Sequence, residues 1–151
     1  MRGSKEGFTL VELMIAIALV AILAVIAGLN LHTYALNRNL KTAARDIVTD
    51  FALYKRKAVS ENETYKITFD IIGSCYTIQK GTTTIATKRP SSFGECIELM
   101  SANFGNGRTV NFLSRGTVSP FGNVKLKNSR QSQATVKVNI TGKTYVAFDI
   151  K

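Results

Sequence analysis

Acid is scarce in this chain of 151 residues: ten Asp and Glu stand against twenty Lys and Arg, a formal charge of +10. Beyond Asp70 the only acids are Glu95, Glu98 and Asp149. A calcium site needs several clustered oxygens, which this spread does not suggest. There is one histidine, His32, and no acid–base partner is suggested for it. No zinc-type ligand spacing, no G-x-S-x-G elbow and no phosphate loop occurs in the sequence. Catalytic residues, a metal and a cofactor are therefore not expected. Proline is absent from Phe8 to Arg89, so nothing in that stretch forces a helix to break. Cysteine is limited to Cys75 and Cys96, whose spacing is far from C-x-x-C and carries no redox motif.

Against these absences stands one long apolar run. From Phe8 to Leu29 the only ionisable residue is Glu12. About 20 apolar or small residues, rising ~1.5 Å each in a helix, span a hydrocarbon core of ~30 Å. A carboxylate inside such a run costs roughly 2.5–3.5 kcal/mol at a helix centre and less near its end, so it calls for a reason. Arg2 and Lys5 precede the run, in accord with a cytoplasmic N-terminus. Small residues at Ala24, Ala27 and Gly28 also admit an ordinary secretory cut, which leaves Glu12 unexplained.

The helical pattern continues past the run. Leu36, Leu40, Ala43, Ala44, Ile47, Phe51, Tyr54 and Ala58 recur at three- and four-residue steps and make one apolar stripe. Asn37, Arg38, Lys41, Arg45, Asp46, Asp50 and Lys55 fall between them and read as the wet side. One helix from Phe8 to Ser60 is expected, turning out at Ser60–Glu63. After Asn62 the period changes to two, as in Tyr65–Phe69, Tyr76–Lys80, Thr83–Thr87, Thr109–Phe112, Val124–Leu126, Ala134–Ile140 and Thr144–Ile150. Thr141-Gly142-Lys143 reads as a hairpin turn. The fold class is α+β, a long N-terminal helix packed on antiparallel β-sheet. The expected plan is a leader over 1–7, an apolar helix half over 8–29, an amphipathic half over 30–60 and a β domain over 61–151.

If the run anchors an exported domain, Cys75 and Cys96 are expected to form a disulfide, the alternative being two reduced, buried thiols. Such a loop stabilises by roughly 3 kcal/mol in the chain-entropy view. From Arg108 to Lys151 eight cations face a single acid, Asp149. Lys125 and Lys127 share one strand face, and with Arg130, Lys137 and Lys143 they form a candidate anion- or DNA-binding patch. The competing readings are a solvated basic face and docking onto an acidic partner.

The N-terminal residues carry a resemblance. A basic leader, then Gly7-Phe8-Thr9-Leu10-Val11-Glu12 and an apolar helix, is similar to the class III signal of type IV pilins and pseudopilins. The resemblance implies cleavage between Gly7 and Phe8 by an inner-membrane prepilin peptidase and N-methylation of Phe8. It implies that Glu12, fifth in the mature chain, pairs with the N-terminal amine of a neighbouring subunit. Many major pilins have a proline near the outer end of the apolar half, where this chain has Leu29 after Gly28.

Three further stretches resemble the pseudopilin H and FimT branch of minor subunits. They are Asn39–Asp46 with Lys55–Val59, Arg108–Thr117, and Val136–Lys143. That resemblance implies two antiparallel sheets and a subunit of a type II secretion pseudopilus or a type IV pilus. Other pilin subunits, the peptidase and the inner membrane are then the partners, with the β domain in the periplasm. Some FimT-like subunits are thought to bind DNA through a basic last hairpin, which here carries Lys143. An uncleaved single-pass sensor and a DNA-uptake subunit are the other two readings.

Overall fold

The computed structural model describes residues 8–94 and 96–151; the side chains of 26–31 also lie outside the described set. The leader over 1–7, including Gly7, and Glu95 therefore fall outside the described residues. The chain divides into two compact units, one ending at Ala35 and one from Leu36 to Lys151.

Helix α1 runs over Leu10–Ser60, with no break at Gly28 or Leu29. The absence of proline allows this length, since every interior N–H remains available to bond. Among the described residues nine strands follow: β1 (Tyr65–Asp70), β2 (Cys75–Lys80), β3 (Thr83–Lys88), β4 (Glu98–Phe104), β5 (Thr109–Phe112), β6 (Val118–Ser119), β7 (Gly122–Lys127), β8 (Gln133–Val138) and β9 (Thr144–Asp149). They form two antiparallel sheets, one in the order β3-β2-β1-β5-β6 and one in the order β4-β7-β8-β9.

The core of the Leu36–Lys151 unit is a single cluster. The stripe from Leu40 through Ala43, Ala44, Ile47, Phe51 and Tyr54 to Ala58 is buried, as its spacing predicts, with Leu36 half-buried at its start. Tyr65, Ile67 and Phe69 face it from β1, Leu99, Ala102 and Phe104 from β4, and Val124 and Leu126 from β7. Small alanines on the stripe let the helix approach the sheets while the large rings fill the space between them. The β8–β9 turn is pinned to the helix, because Lys55 Nζ donates to the Thr141 carbonyl at 2.7 Å. At the tip Gly142 has φ +75° and packs against the Lys55 side chain, which a Cβ there would strike.

Two residues assigned to the wet side are buried instead. Asn37 accepts a bond from Asn128 Nδ2 at 2.9 Å beneath the second sheet. Asp50, 3% exposed, accepts from the Tyr76 hydroxyl and from Lys88 Nζ, both at 2.8 Å. Asp46, one turn earlier, takes the same two donors at 2.9 and 3.3 Å. Spacing alone shows a polar residue beside the stripe, whereas partners from β2 and β3 decide that it is buried.

This cluster makes stability sensitive to alkali. Burial, then the bond to Asp50 and the charges of Asp50 and Asp46, push the Tyr76 hydroxyl far above the usual tyrosine range. Burial opposes the Lys88 charge, but the bond to Asp50 and the two carboxylates outweigh it and hold its pKa above the ordinary lysine value. Both shifts are upward, so both contributions are complete below the unfolded-state values of about 10 and 10.4 and are lost above them. The unfolding free energy is expected to hold from neutrality to about pH 9.5 and fall beyond about pH 10. Tyr76→Phe, which removes one donor from a buried carboxylate, is expected to cost about 1–3 kcal/mol at pH 7 and to flatten that fall. Denaturant titrations at neutral and alkaline pH check this, and equal alkaline slopes for the two proteins would count against it.

Candidate functional site

The residues from Phe8 to Glu12 form a defined local structure. Phe8 and Thr9 precede the helix, and Phe8 is 88% exposed. Thr9 occupies the N-cap position and Glu12 the third helical position, the arrangement of a capping box. The Glu12 N–H donates to Thr9 Oγ1 at 3.2 Å. In return Glu12 Oε2 accepts from the Thr9 N–H at 3.0 Å and from the Thr9 hydroxyl at 3.1 Å. Both bonds end on Oε2. The carboxylate is also at the helix end whose dipole favours negative charge.

Thr9 is a site residue that the sequence reading did not single out. Its signal was present as Thr9-x-x-Glu12 ahead of an apolar run, the usual mark of a capping box. Phe8 and Glu12 are placed as described, while Gly7 lies outside the described residues.

From Leu10 to Val25 the apolar side chains are exposed, among them Leu13, Met14, Ile17, Val20 and Leu23. Among the described residues no helix is long and apolar enough to cross a membrane. The part with described side chains, Leu10–Val25, is about 24 Å long at ~1.5 Å per residue, short of a ~30 Å core. In the sequence the apolar run extends to Leu29.

The disulfide expected from the sequence is not formed in this structure: Cys75 and Cys96 are both free thiols. Cys75 opens β2, and its sulfur lies over the β1–β2 turn, 3.5 Å from where a Cβ of Gly73 would be. Cys96 is exposed in the turn before β4, at φ +63°. The β1–β2 turn is tied to β4 by the Leu99 N–H, which donates to Ser74 Oγ at 2.9 Å.

The five candidate anion-binding residues are only partly brought together. Lys125 and Lys127 on β7 and Lys137 on β8 alternate with buried Val124, Leu126, Val136 and Val138, so all three project from the outer face of the second sheet. Arg130 lies in the β7–β8 turn at one end of that face, and Lys143 in the β8–β9 turn at the other. Lys127 is paired with Glu98 at 3.2 Å. His32 is exposed, and the described residues contain no cluster of His, Cys, Asp and Glu fit to hold a metal.

Residues 2–28 match the family described as the prokaryotic N-terminal methylation motif. This motif covers Gly7, Phe8, Glu12 and most of the apolar run. The chain is pilin-like in that motif and in its fold, a long helix on two antiparallel sheets.

Two solved structures of the minor pseudopilin EpsH from the type II secretion system of Vibrio cholerae share the fold. One superposes with a TM-score of 0.56 at 15% identity, covering 73% of this chain and 97% of EpsH. The other gives 0.59 at 13% identity, covering 76% and 97%. No curated protein sequence matches the chain.

Proposed function

We propose that this chain is a non-enzymatic minor subunit of a pseudopilus or type IV pilus, assembled through its N-terminal helix after leader cleavage. The precursor inserts in the inner membrane with 1–7 in the cytoplasm and the β domain in the periplasm. Prepilin peptidase cuts between Gly7 and Phe8, and the new amine is methylated. Glu12 then meets the amine of a neighbouring subunit, and the apolar helices pack side by side.

The observation that carries this reading is the Thr9–Glu12 box at the head of an apolar helix. It holds one carboxylate oxygen, Oε2, against Thr9 at the head of the apolar run, which suits the exposed group to an incoming cation. The likeness in fold to EpsH, a minor pseudopilin, supports a pilin-like filament subunit. The single-pass sensor reading needs no cleavage, which separates it from ours. N-terminal analysis of the protein extracted from membranes tests the proposal. The expected result is a chain beginning at N-methylated Phe8. A chain still beginning at Met1, or cut beyond the apolar run, would overturn it.

A further inference from the structure

One depression on the outer face of the second sheet combines aromatic, cationic and unmet hydrogen-bonding groups. It encloses about 390 Å³ and is bordered by Phe121, Asn123, Lys137 and Tyr145. Phe121 is 62% exposed and Tyr145 51%, unusual for rings of this size on a sheet that also has a closed apolar core. Lys143 Nζ stands 5.7 Å from the centre of the Tyr145 ring, adding a second cation at the rim. Asn123 Oδ1 is shielded from solvent and has no donor among the described residues, an unmet bond that burial makes unfavourable.

We propose that this depression docks an acidic segment of a neighbouring subunit's polypeptide, with an apolar side chain seated between Phe121 and Tyr145 and a carboxylate met by Lys137. This rests on the reading of the chain as an assembling subunit and gives that subunit a second contact, outside the membrane. Charge decides the occupant. Among the described residues no carboxylate pairs with Lys137 or Lys143, in a chain of net charge +10. The face's own acids are at its far end, since Glu98 is registered with Lys127 and Asp149 with Gln133, whereas Lys137 stands between Asn123 and Tyr145. Four residues of strand separate the two ends, about 13 Å.

The same arrangement disfavours a nucleic acid. A duplex presents a charge about every 1.7 Å and needs a run of unopposed cations. Here Glu98 takes Lys127, and Asp149 sits at that end of the face. A short acidic segment needs only the cationic end, and the exposed rings beside it suit an apolar side chain.

The test is binding by the full chain in detergent micelles, using two labelled, end-blocked octapeptides. One alternates glutamate with leucine and the other lysine with leucine. The glutamate peptide is expected to bind about tenfold or more tightly than the lysine peptide, and to lose a similar factor with Lys137→Glu or Tyr145→Ala. Arg56→Glu makes the same charge change on an exposed helix position and should leave binding unaltered. Equal binding of the two peptides overturns the proposal without any variant. So does glutamate-peptide binding that survives both substitutions, or its displacement by a short DNA duplex acting through Lys137. None of these outcomes touches the assembly reading, which stands or falls on a methylated Phe8.

Discussion

Glu12→Ala is expected to leave leader cleavage intact and to lower incorporation into filaments by about 30-fold or more. Truncating one partner of a desolvated, hydrogen-bonded charge pair costs about 2–5 kcal/mol, and 2 kcal/mol corresponds to roughly 30-fold in an equilibrium. Alanine, however, removes two things at once. It deletes the carboxylate offered to a neighbour, and it deletes the acceptor that Thr9 uses to cap its own helix. Glu12→Gln separates them, because the amide oxygen still accepts from Thr9 but carries no charge. Thr9→Val makes the complementary change: the cap hydroxyl goes, at a cost of about 0.5–2 kcal/mol in local helix stability, while the carboxylate remains. If charge pairing drives assembly, glutamine should behave like alanine, and valine at position 9 should assemble nearly as well as the native chain. The measurement is the ratio of filament-bound to membrane-bound subunit for the cleaved forms of all four proteins. A glutamine variant that assembles normally would reassign Glu12 to helix capping alone.

The N-terminal site was legible because it depends on neighbours in sequence. A capping box closes over four residues, so Thr9 and Glu12 determine each other's geometry without help from the rest of the fold. The basic patch behaved differently. Alternation put Lys125 and Lys127 on one strand face, as β7 has them. Whether β7 and β8 would be adjacent, with Lys125 opposite Thr135 and Lys137 opposite Asn123, depended on strand order, which a single sequence does not state. Nor could spacing show that Glu98, from a strand 29 residues away in sequence, would neutralise Lys127. The depression beside Tyr145 is legible only after three strands are in register.

The same division holds for the fold. The helical stripe was readable because residues three and four apart share a face whatever the helix packs against. Its wet side was less secure. Asp50 is beside the stripe, and two donors delivered from β2 and β3 draw it under the sheet. Cys75 and Cys96 show the limit of arguing from compartment. The expectation of a bond rests on where the chain goes, and in the structure Cys96 is exposed while the Cys75 sulfur lies over Gly73.

Phe51→Ala should be the most damaging single change in the Leu36–Lys151 unit. Phe51 is 1% exposed and its ring centre lies 6.3 Å from Phe69, 6.4 Å from Phe104 and 5.5 Å from Phe112. Phe69 and Phe112 belong to the first sheet and Phe104 to the second, and Phe69 stacks on Phe104 at 5.6 Å across the junction. One helical side chain therefore touches both sheets where they meet. Removing it empties a site that three rings already hold open, so collapse is limited and the cavity term is large. A loss of about 3–5 kcal/mol is expected, a large part of the 5–15 kcal/mol that domains of this kind possess. In a thermal melt of the full chain this amounts to roughly 10–20 °C. Phe51→Leu, which keeps most of the volume, should cost far less, whereas Val59→Ala, on the exposed side of the same helix, should change little. A loss below about 1 kcal/mol for Phe51→Ala would mean that the helix is not anchored at the sheet junction. The consequence for assembly follows from covalent continuity. Glu12 and Phe51 lie on one helix, so under the proposed assembly loosening the Phe51 contact should expose the core of the Leu36–Lys151 unit without altering the N-terminal chemistry.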